Sequence, residues 1–399
     1  MTVTIKPSAL RGSITPPPSK SFAHRALIAA ALSHGVSKIE NIELSEDIIA
    51  TINCLKSIGA DIKIDVNINT AVVKGIEKIP QKAILDCHES GSTLRFMIPV
   101  CAALGITATF IGSGKLPSRP IDTYKRELAG HGINFSFKSD LSLPLEISGK
   151  LQSGIFNIEG DISSQYITGL LFALPLSGGG IKTTSPLQSK GYVDITIDVL
   201  KNFGVNVSEK DGVYTANGTY NPTEYYVERD FSQAAFWYAT ENVDVENMNE
   251  NSIQTDKKCI EILSRIKSET ISEIDVSQIP DLLPILAVTA ASHNKKIIFT
   301  NAKRLVIKES NRLKSTAEMI NALGRNAEYN NDSLTVFGLG KLRGGKVEGY
   351  NDHRIVMSAA IAAENCESDV IITDAGAVNK SYPSFWDEYR KLSGKIIEN

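Results

Sequence analysis

One device recurs six times along this chain, and that recurrence constrains the fold more than any single stretch does. A polar or charged turn leads straight into a helix of small and apolar residues at Ser19-Lys20-Ser21, Ser90-Gly91-Ser92, Ser163-Ser164-Gln165, Phe231-Ser232-Gln233, Pro280-Asp281 and Asn351-Asp352-His353. Anchored on Lys20, Ser90, Ser163, Ser232, Asp281 and Asp352, successive copies lie 70, 73, 69, 49 and 71 residues apart. A second, amphipathic helix follows in most copies and closes on a glycine. Leu55 to Gly59, Leu128 to Gly132 and Leu200 to Gly204 share Leu-x-x-x-Gly, and Ile320 to Gly324 nearly matches. Glycine suits the left-handed position just past a helix. Between the helices, alternating or β-branched runs at 61–66, 108–111, 156–158 and 296–300 predict strands.

Six such units in 399 residues fit two domains of three better than one solenoid. The break is expected near Glu228-Arg229-Asp230, where the shortened fourth unit begins; 241–255, polar and rich in Asn and Glu, reads as a loop. Residues 2–9 read as a strand ahead of the first unit, and Pro16-Pro17-Pro18 as a crossover. The runs 26–32, 285–291 and 357–363 are almost wholly small and apolar, so these helices are expected to be buried. Three per domain implies parallel inner helices walled by sheets, with their N-termini pointing one way. Two domains facing each other by those ends would focus positive potential on a polyanion.

A net charge of −3 argues against a nucleic-acid surface and assigns local cation clusters to small anions. Five scattered cysteines without a Cys-x-x-Cys spacing fit reduced thiols in the cytoplasm, and six histidines without paired-ligand spacing give no reason to expect a metal. No signal-peptide profile opens the chain, and no apolar run approaches membrane length. The first copy holds the most chemistry. Ser19 occupies an N-cap position, and Lys20, Ser21 and Arg25 gather at the first turn, where unpaired N–H groups favour a phosphate or carboxylate. Taken alone, that is also a capped helix with a solvated Lys and Arg.

Seven motifs in register change the balance: Pro18 to Arg25, Gly91-Ser92 with Arg95, Arg119-Pro120, Gly160 to Gln165, Ile279-Pro280-Asp281, Lys308-Glu309-Ser310 with Arg312, and Asn351 to Arg354. In this order, across nearly the whole chain, they resemble the EPSP synthase (3-phosphoshikimate 1-carboxyvinyltransferase) family of enolpyruvyl transferases. The resemblance implies an α/β (α+β) fold, a two-domain inside-out α/β barrel with three copies of one folding unit per domain. It divides the chain into 14–228 and into 1–13 with 229–399, with the active site in the interdomain cleft. It implies a reaction between shikimate 3-phosphate and phosphoenolpyruvate without metal or organic cofactor, in a monomer sensitive to glyphosate.

Under that resemblance, phosphoenolpyruvate falls to Lys20, Arg119, Arg312, Arg354 and Lys380, with Gly91 leaving room beside it. Shikimate 3-phosphate falls to Ser21, Arg25, Ser163, Ser164, Gln165, Ser189 and Lys308. Asp281 is the candidate base facing the 5-hydroxyl, and Glu309 the candidate for proton transfer at the methylene carbon, with Lys20 able to share that work. Ser163 and Ser164 also fit plain N-caps, Tyr192 a core aromatic, and Asp47 either a partner for a cation or a solvated helix start. Lys115, Asn311 and Glu89 depart from the residues common in the family, which usually has Arg, Asp and Asn there. Two rivals share the fold: UDP-N-acetylglucosamine enolpyruvyltransferase, which carries a loop cysteine where this chain has Gly114, and a noncatalytic binding protein.

Overall fold

The computed structural model describes residues 1–398 of the 399. Among the described residues twelve α-helices alternate between two kinds, as the repeat requires. The odd ones are α1 (Lys20–Leu32), α3 (Gly91–Leu104), α5 (Ser164–Ser177), α7 (Phe231–Tyr238), α9 (Leu283–Ala291) and α11 (His353–Ala362). Phe22 to Leu32 of α1, and every residue of α9 and α11, are buried. Their small residues allow close helix neighbours, and each fully buried Leu or Ile contributes about 1.5–3 kcal/mol. The even ones are α2 (Glu46–Ser57), α4 (Asp122–Ala129), α6 (Lys190–Asn202), α8 (Cys259–Lys267), α10 (Arg312–Ala322) and α12 (Phe385–Lys391). They are amphipathic: α8 buries only Cys259, Leu263 and Ile266, at positions i, i+4 and i+7. The glycines that end the second helices, Gly59, Gly132, Gly204 and Gly324, all have φ between +80° and +108°.

A complete unit runs strand, helix, parallel strand, helix, hairpin. In the second copy, Lys82–Asp86 pairs parallel with Thr107–Ile111 across α3, and the hairpin Ile133–Phe137/Leu145–Gly149 after α4 completes a four-stranded sheet. The third copy, around α5 and α6, and the fifth, around α9 and α10, have the same strand order. The first and last copies borrow a strand. Glu224–Tyr226 supplies the leading strand beside Val36–Glu40. Val3–Lys6 inserts between Val370–Ile372 and Lys395–Glu398, antiparallel to both. The fourth copy keeps only Gly12–Ile14 and Val243–Val245, a parallel pair, and has no hairpin of its own. That missing hairpin accounts for the 49-residue spacing.

Two compact units result: Pro18–Glu228, and Met1–Pro17 together with the chain from Arg229 onward. Each has its own hydrophobic core. The structure moves the first boundary from the expected 13/14 to 17/18, because Gly12–Ile14 pairs with Val243–Val245 and Asp230 N donates to Pro17 O. The expected loop 241–255 therefore contains a strand, whose Val243 and Val245 pack against the core of their unit. The N-terminal strand is shorter than the expected 2–9, spanning Val3–Lys6. All five cysteines are buried free thiols. Among the described residues no helix is long and apolar enough to cross a membrane.

Candidate active site

In the Pro18–Glu228 unit the matched residues sit at the leading ends of α1, α3, α5 and α6. Ser19 takes the N-cap position of α1, but its side chain makes no cap bond; its N–H donates to Glu228 O instead. Lys20 Nζ lies 2.6 Å from Asp47 Oδ2 on α2, with both side chains about four-fifths buried. Asp47 is therefore the counter-ion of Lys20 and not a solvated helix start.

Arg25, 3% exposed, is tied into the helix bundle of its own unit. Its Nε donates to Thr196 Oγ1 (2.8 Å), Nη1 to Ser21 O (2.8 Å), and Nη2 to Tyr192 O (2.9 Å) and Thr168 Oγ1 (3.3 Å). These bonds leave one of its five N–H groups. Burial lowers its pKa to about 9, so it stays charged at neutral pH. Arg25 thus positions α1, α5 and α6 while keeping one donor for a ligand. Tyr192 packs partly buried against the core, and its carbonyl is what Arg25 uses. Ser189, 2% exposed, precedes α6 at φ +51°, a left-handed conformation uncommon for serine.

Ser163 caps α5, accepting from Gln165 N at 3.3 Å, and Ser164 opens the helix. Gln165 reaches back to α3: Oε1 accepts from Arg95 Nη1 (2.9 Å) and Nε2 donates to Ser92 Oγ (3.0 Å). Arg95 Nη2 and Tyr166 Oη both donate to Pro120 O, at 3.0 and 2.6 Å, which pins the chain beside Arg119. Gly91 lies under two guanidiniums. A Cβ there would come within 2.6 Å of Arg119 Nη1 and 3.0 Å of Arg95 Nη1, so any side chain at 91 must displace Arg119. The clamp role of Arg95 was not legible in the sequence, since its partners Gln165 and Pro120 lie 70 and 25 residues away.

In the other unit one guanidinium organises the acid–base candidates. Arg312, 1% exposed, donates Nε to Asp352 Oδ2 (2.9 Å), Nη1 to Asp281 Oδ1 (2.6 Å), and Nη2 to Glu309 Oε2 (2.7 Å) and Asp352 Oδ1 (3.3 Å). Three carboxylates raise its pKa further against the opposing effect of burial. Four of its five N–H groups are committed to these carboxylates, and one remains. Asp352, fully buried, also caps α11 by accepting from Arg354 N and takes a bond from Ser310 Oγ. Asn311, in place of the family's usual Asp, caps α10 through Lys314 N, a task its amide oxygen performs as well as a carboxylate.

Asp281 sits in the short helical turn Pro280–Leu282 before α9. Burial pushes its carboxyl up, but Lys308 (3.4 Å), Arg312, Arg354 (3.7 Å) and His353 outweigh burial and hold it well below the ordinary range. Burial in turn lowers Lys308, an effect that Asp281 opposes. Arg354, 4% exposed, bonds twice to Ser232: Nη1 donates to Ser232 O and Nη2 to Ser232 Oγ. Lys380 Nζ donates to Asn351 O at 2.7 Å. Arg354 and Lys380 are therefore aligned by backbone carbonyls and a hydroxyl, and Asp281 and Glu309 by cations.

Residues 4–389 match the family model described as EPSP synthase (3-phosphoshikimate 1-carboxyvinyltransferase). Proteins named 3-phosphoshikimate 1-carboxyvinyltransferase from Clostridium perfringens (strain SM101), Clostridium novyi (strain NT) and Clostridium acetobutylicum are 41%, 42% and 43% identical to this chain. The alignments cover 99% of this chain each, and 99%, 98% and 98% of those proteins. A solved EPSP synthase from Acinetobacter baumannii superimposes with a TM-score of 0.81 at 22% identity, covering all of both chains, and so shares the fold.

Proposed function

We infer the reaction from one premise: the chain belongs to the EPSP synthase family. It transfers the carboxyvinyl group of phosphoenolpyruvate to the 5-hydroxyl of shikimate 3-phosphate, releasing phosphate, as a step of the shikimate pathway. Protonation of the methylene carbon makes C2 of phosphoenolpyruvate electrophilic, and the 5-hydroxyl adds there as it loses its proton. The tetrahedral adduct then expels phosphate and gives up a methyl proton, restoring the double bond. Two anions must be held together and two protons moved.

The observation that carries this reading is the pair Asp281 and Glu309 held on two arms of one buried guanidinium, with Lys308 and Arg354 beside Asp281. A binding protein of this fold has no use for such a pair. We assign Asp281 as the base for the 5-hydroxyl. It is ionised, yet weak as a base while its cations surround it. A substrate phosphate that draws Lys308 away raises its basicity, so the acceptor activates the residue that deprotonates it. Glu309 serves the methylene carbon, with Lys20 sharing the proton work. Arg312 positions both carboxylates. Lys20, Arg119, Arg312, Arg354 and Lys380 take phosphoenolpyruvate; Ser21, Arg25, Ser163, Ser164, Gln165, Ser189 and Lys308 take shikimate 3-phosphate. The sugar-nucleotide alternative is disfavoured at position 114, which is glycine where that enzyme carries a loop cysteine. Five buried free thiols fit a monomeric enzyme of the reducing cytoplasm.

The test is phosphate release from phosphoenolpyruvate with shikimate 3-phosphate or UDP-N-acetylglucosamine as acceptor. Release with the first acceptor, lost in Lys20→Ala and Glu309→Ala, is expected. Release with the sugar nucleotide alone would transfer the chain to the sister activity.

A further inference from the structure

Two loops of the Pro18–Glu228 unit interlock through contacts that only glycines permit, and one participant is a carboxylate given no role above. The first loop, 87–91, leads into α3; the second, 111–120, carries Arg119. Cys87 N donates to Ile111 O (2.9 Å) and Ser113 N to His88 O (2.8 Å), which joins the loops at their base. A Cβ on Gly112 would meet His88 O at 2.9 Å, so the join is too close for a side chain. Farther along, Arg119 lies over Gly91 and, reciprocally, Glu89 lies over Gly114. A Cβ on Gly114 would come within 2.4–2.7 Å of all three atoms of the Glu89 carboxyl group. Gly114 also has φ +57°. The far end of the second loop is fixed through Pro120 O, so the stretch 113–119 has hydrogen bonds at both ends and the Glu89 carboxyl against Gly114.

A carboxylate so near a site for two anions weakens anion binding unless it does something else. We propose that Glu89 is a positioning residue: it seats the 111–120 loop against the start of α3 and so fixes Arg119 for phosphoenolpyruvate. This rests on the role given to Arg119 under Proposed function. Glu89 acts through its shape and acceptor oxygens over Gly114, so an amide of the same shape retains most of the effect. The contact also couples positions 89 and 114 energetically, because the same few cubic ångströms cannot hold both a Glu89 carboxyl and a side chain at 114.

The experiment compares Glu89→Ala, Glu89→Gln, Gly114→Ala and Glu89→Ala/Gly114→Ala by steady-state phosphate release, with hydrogen exchange at the Ser113 and Leu116 amides measured on the unliganded proteins. Glu89→Ala is expected to raise KM for phosphoenolpyruvate about tenfold while KM for shikimate 3-phosphate stays within about twofold. Glu89→Gln should recover most of that loss, and the double variant should be no worse than Gly114→Ala. Exchange at the two amides should quicken in Glu89→Ala. An unchanged phosphoenolpyruvate KM, strict additivity in the double variant, or a parallel rise in both KM values would overturn the proposal. If wild-type protein releases no phosphate with either acceptor, the functional reading fails; the exchange comparison still decides whether Glu89 holds the loop.

Discussion

Replacing Asp352 by asparagine isolates the charge that anchors the acid–base cluster. Asp352 is fully buried and performs two tasks: it caps α11 through Arg354 N, and it pairs with Arg312 through two bonds of 2.9 and 3.3 Å. Asparagine keeps the cap and one acceptor but removes the charge. Losing one partner of a buried ion pair costs about 3–5 kcal/mol when nothing else compensates. Here Asp281 and Glu309 remain on the same guanidinium, so the lower end of that range, about 3 kcal/mol, is expected. For a unit of this size that is a fall in Tm of about 6–12 °C by calorimetry on the whole chain. Asp352→Ala should lose a further 1 kcal/mol or so with the cap. Because Arg312 also aims Asp281 and Glu309, kcat should fall more than either KM rises. A Tm within about 2 °C of wild type in Asp352→Asn would refute the view that Arg312 depends on Asp352.

Asp281 supplies a pH prediction. Its folded pKa lies well below the unfolded value near 3.9, so it stabilises the fold above that value and this contribution is lost as pH falls through the folded pKa. In urea titrations, the gap in stability between wild type and Asp281→Asn should be constant above about pH 5 and shrink below about pH 4; a gap that widens on acidification would contradict the ion cluster. Asp47→Ala should lower kcat and weaken phosphoenolpyruvate binding about tenfold or more by freeing Lys20, with Tm little changed at this partly exposed pair; normal kinetics would show that Lys20 needs no orienting partner. Wild-type turnover should be inhibited by glyphosate, and Gly91→Ala should weaken both glyphosate and phosphoenolpyruvate by displacing Arg119; equal turnover with and without saturating glyphosate in the wild type would refute the first half.

The sixfold repetition was legible because each copy carries its own local signals: a turn, a helix of small residues, and a glycine stop. The borrowed strands were not. Val3–Lys6 and Glu224–Tyr226 read as strands or as nothing in particular, and a strand's own residues do not name its partner. The same limit applied to the site. Lysines and arginines near helix starts were visible as anion ligands by type, yet which carboxylate neutralises which cation depends mostly on contacts 27 to 73 residues away. Asp47 looked like an ordinary acidic first turn, and the structure gives it to Lys20. Arg312 looked like an anion ligand, and the structure adds three carboxylate partners that the sequence did not name. Ser19 had the right residue and place for a cap, but its backbone is used by Glu228 and its hydroxyl caps nothing.

The borrowed strands also impose an order on synthesis. Every sheet of the Pro18–Glu228 unit is drawn from within that span, so a ribosome has delivered all its parts once residue 228 emerges. The remaining unit needs Val3–Lys6 to meet Lys395–Glu398, which is made much later. Its opening strand must wait for that later one. The intervening 211 residues would be a costly loop if they were disordered, on the order of 5 kcal/mol of closure entropy. Once folded, they bring their own ends together, with Ser19 N bonded to Glu228 O at 2.7 Å. A fragment spanning 18–228 should therefore fold when expressed alone, whereas one beginning at 229 lacks two strands and should remain a chaperone client until residues 1–17 are supplied.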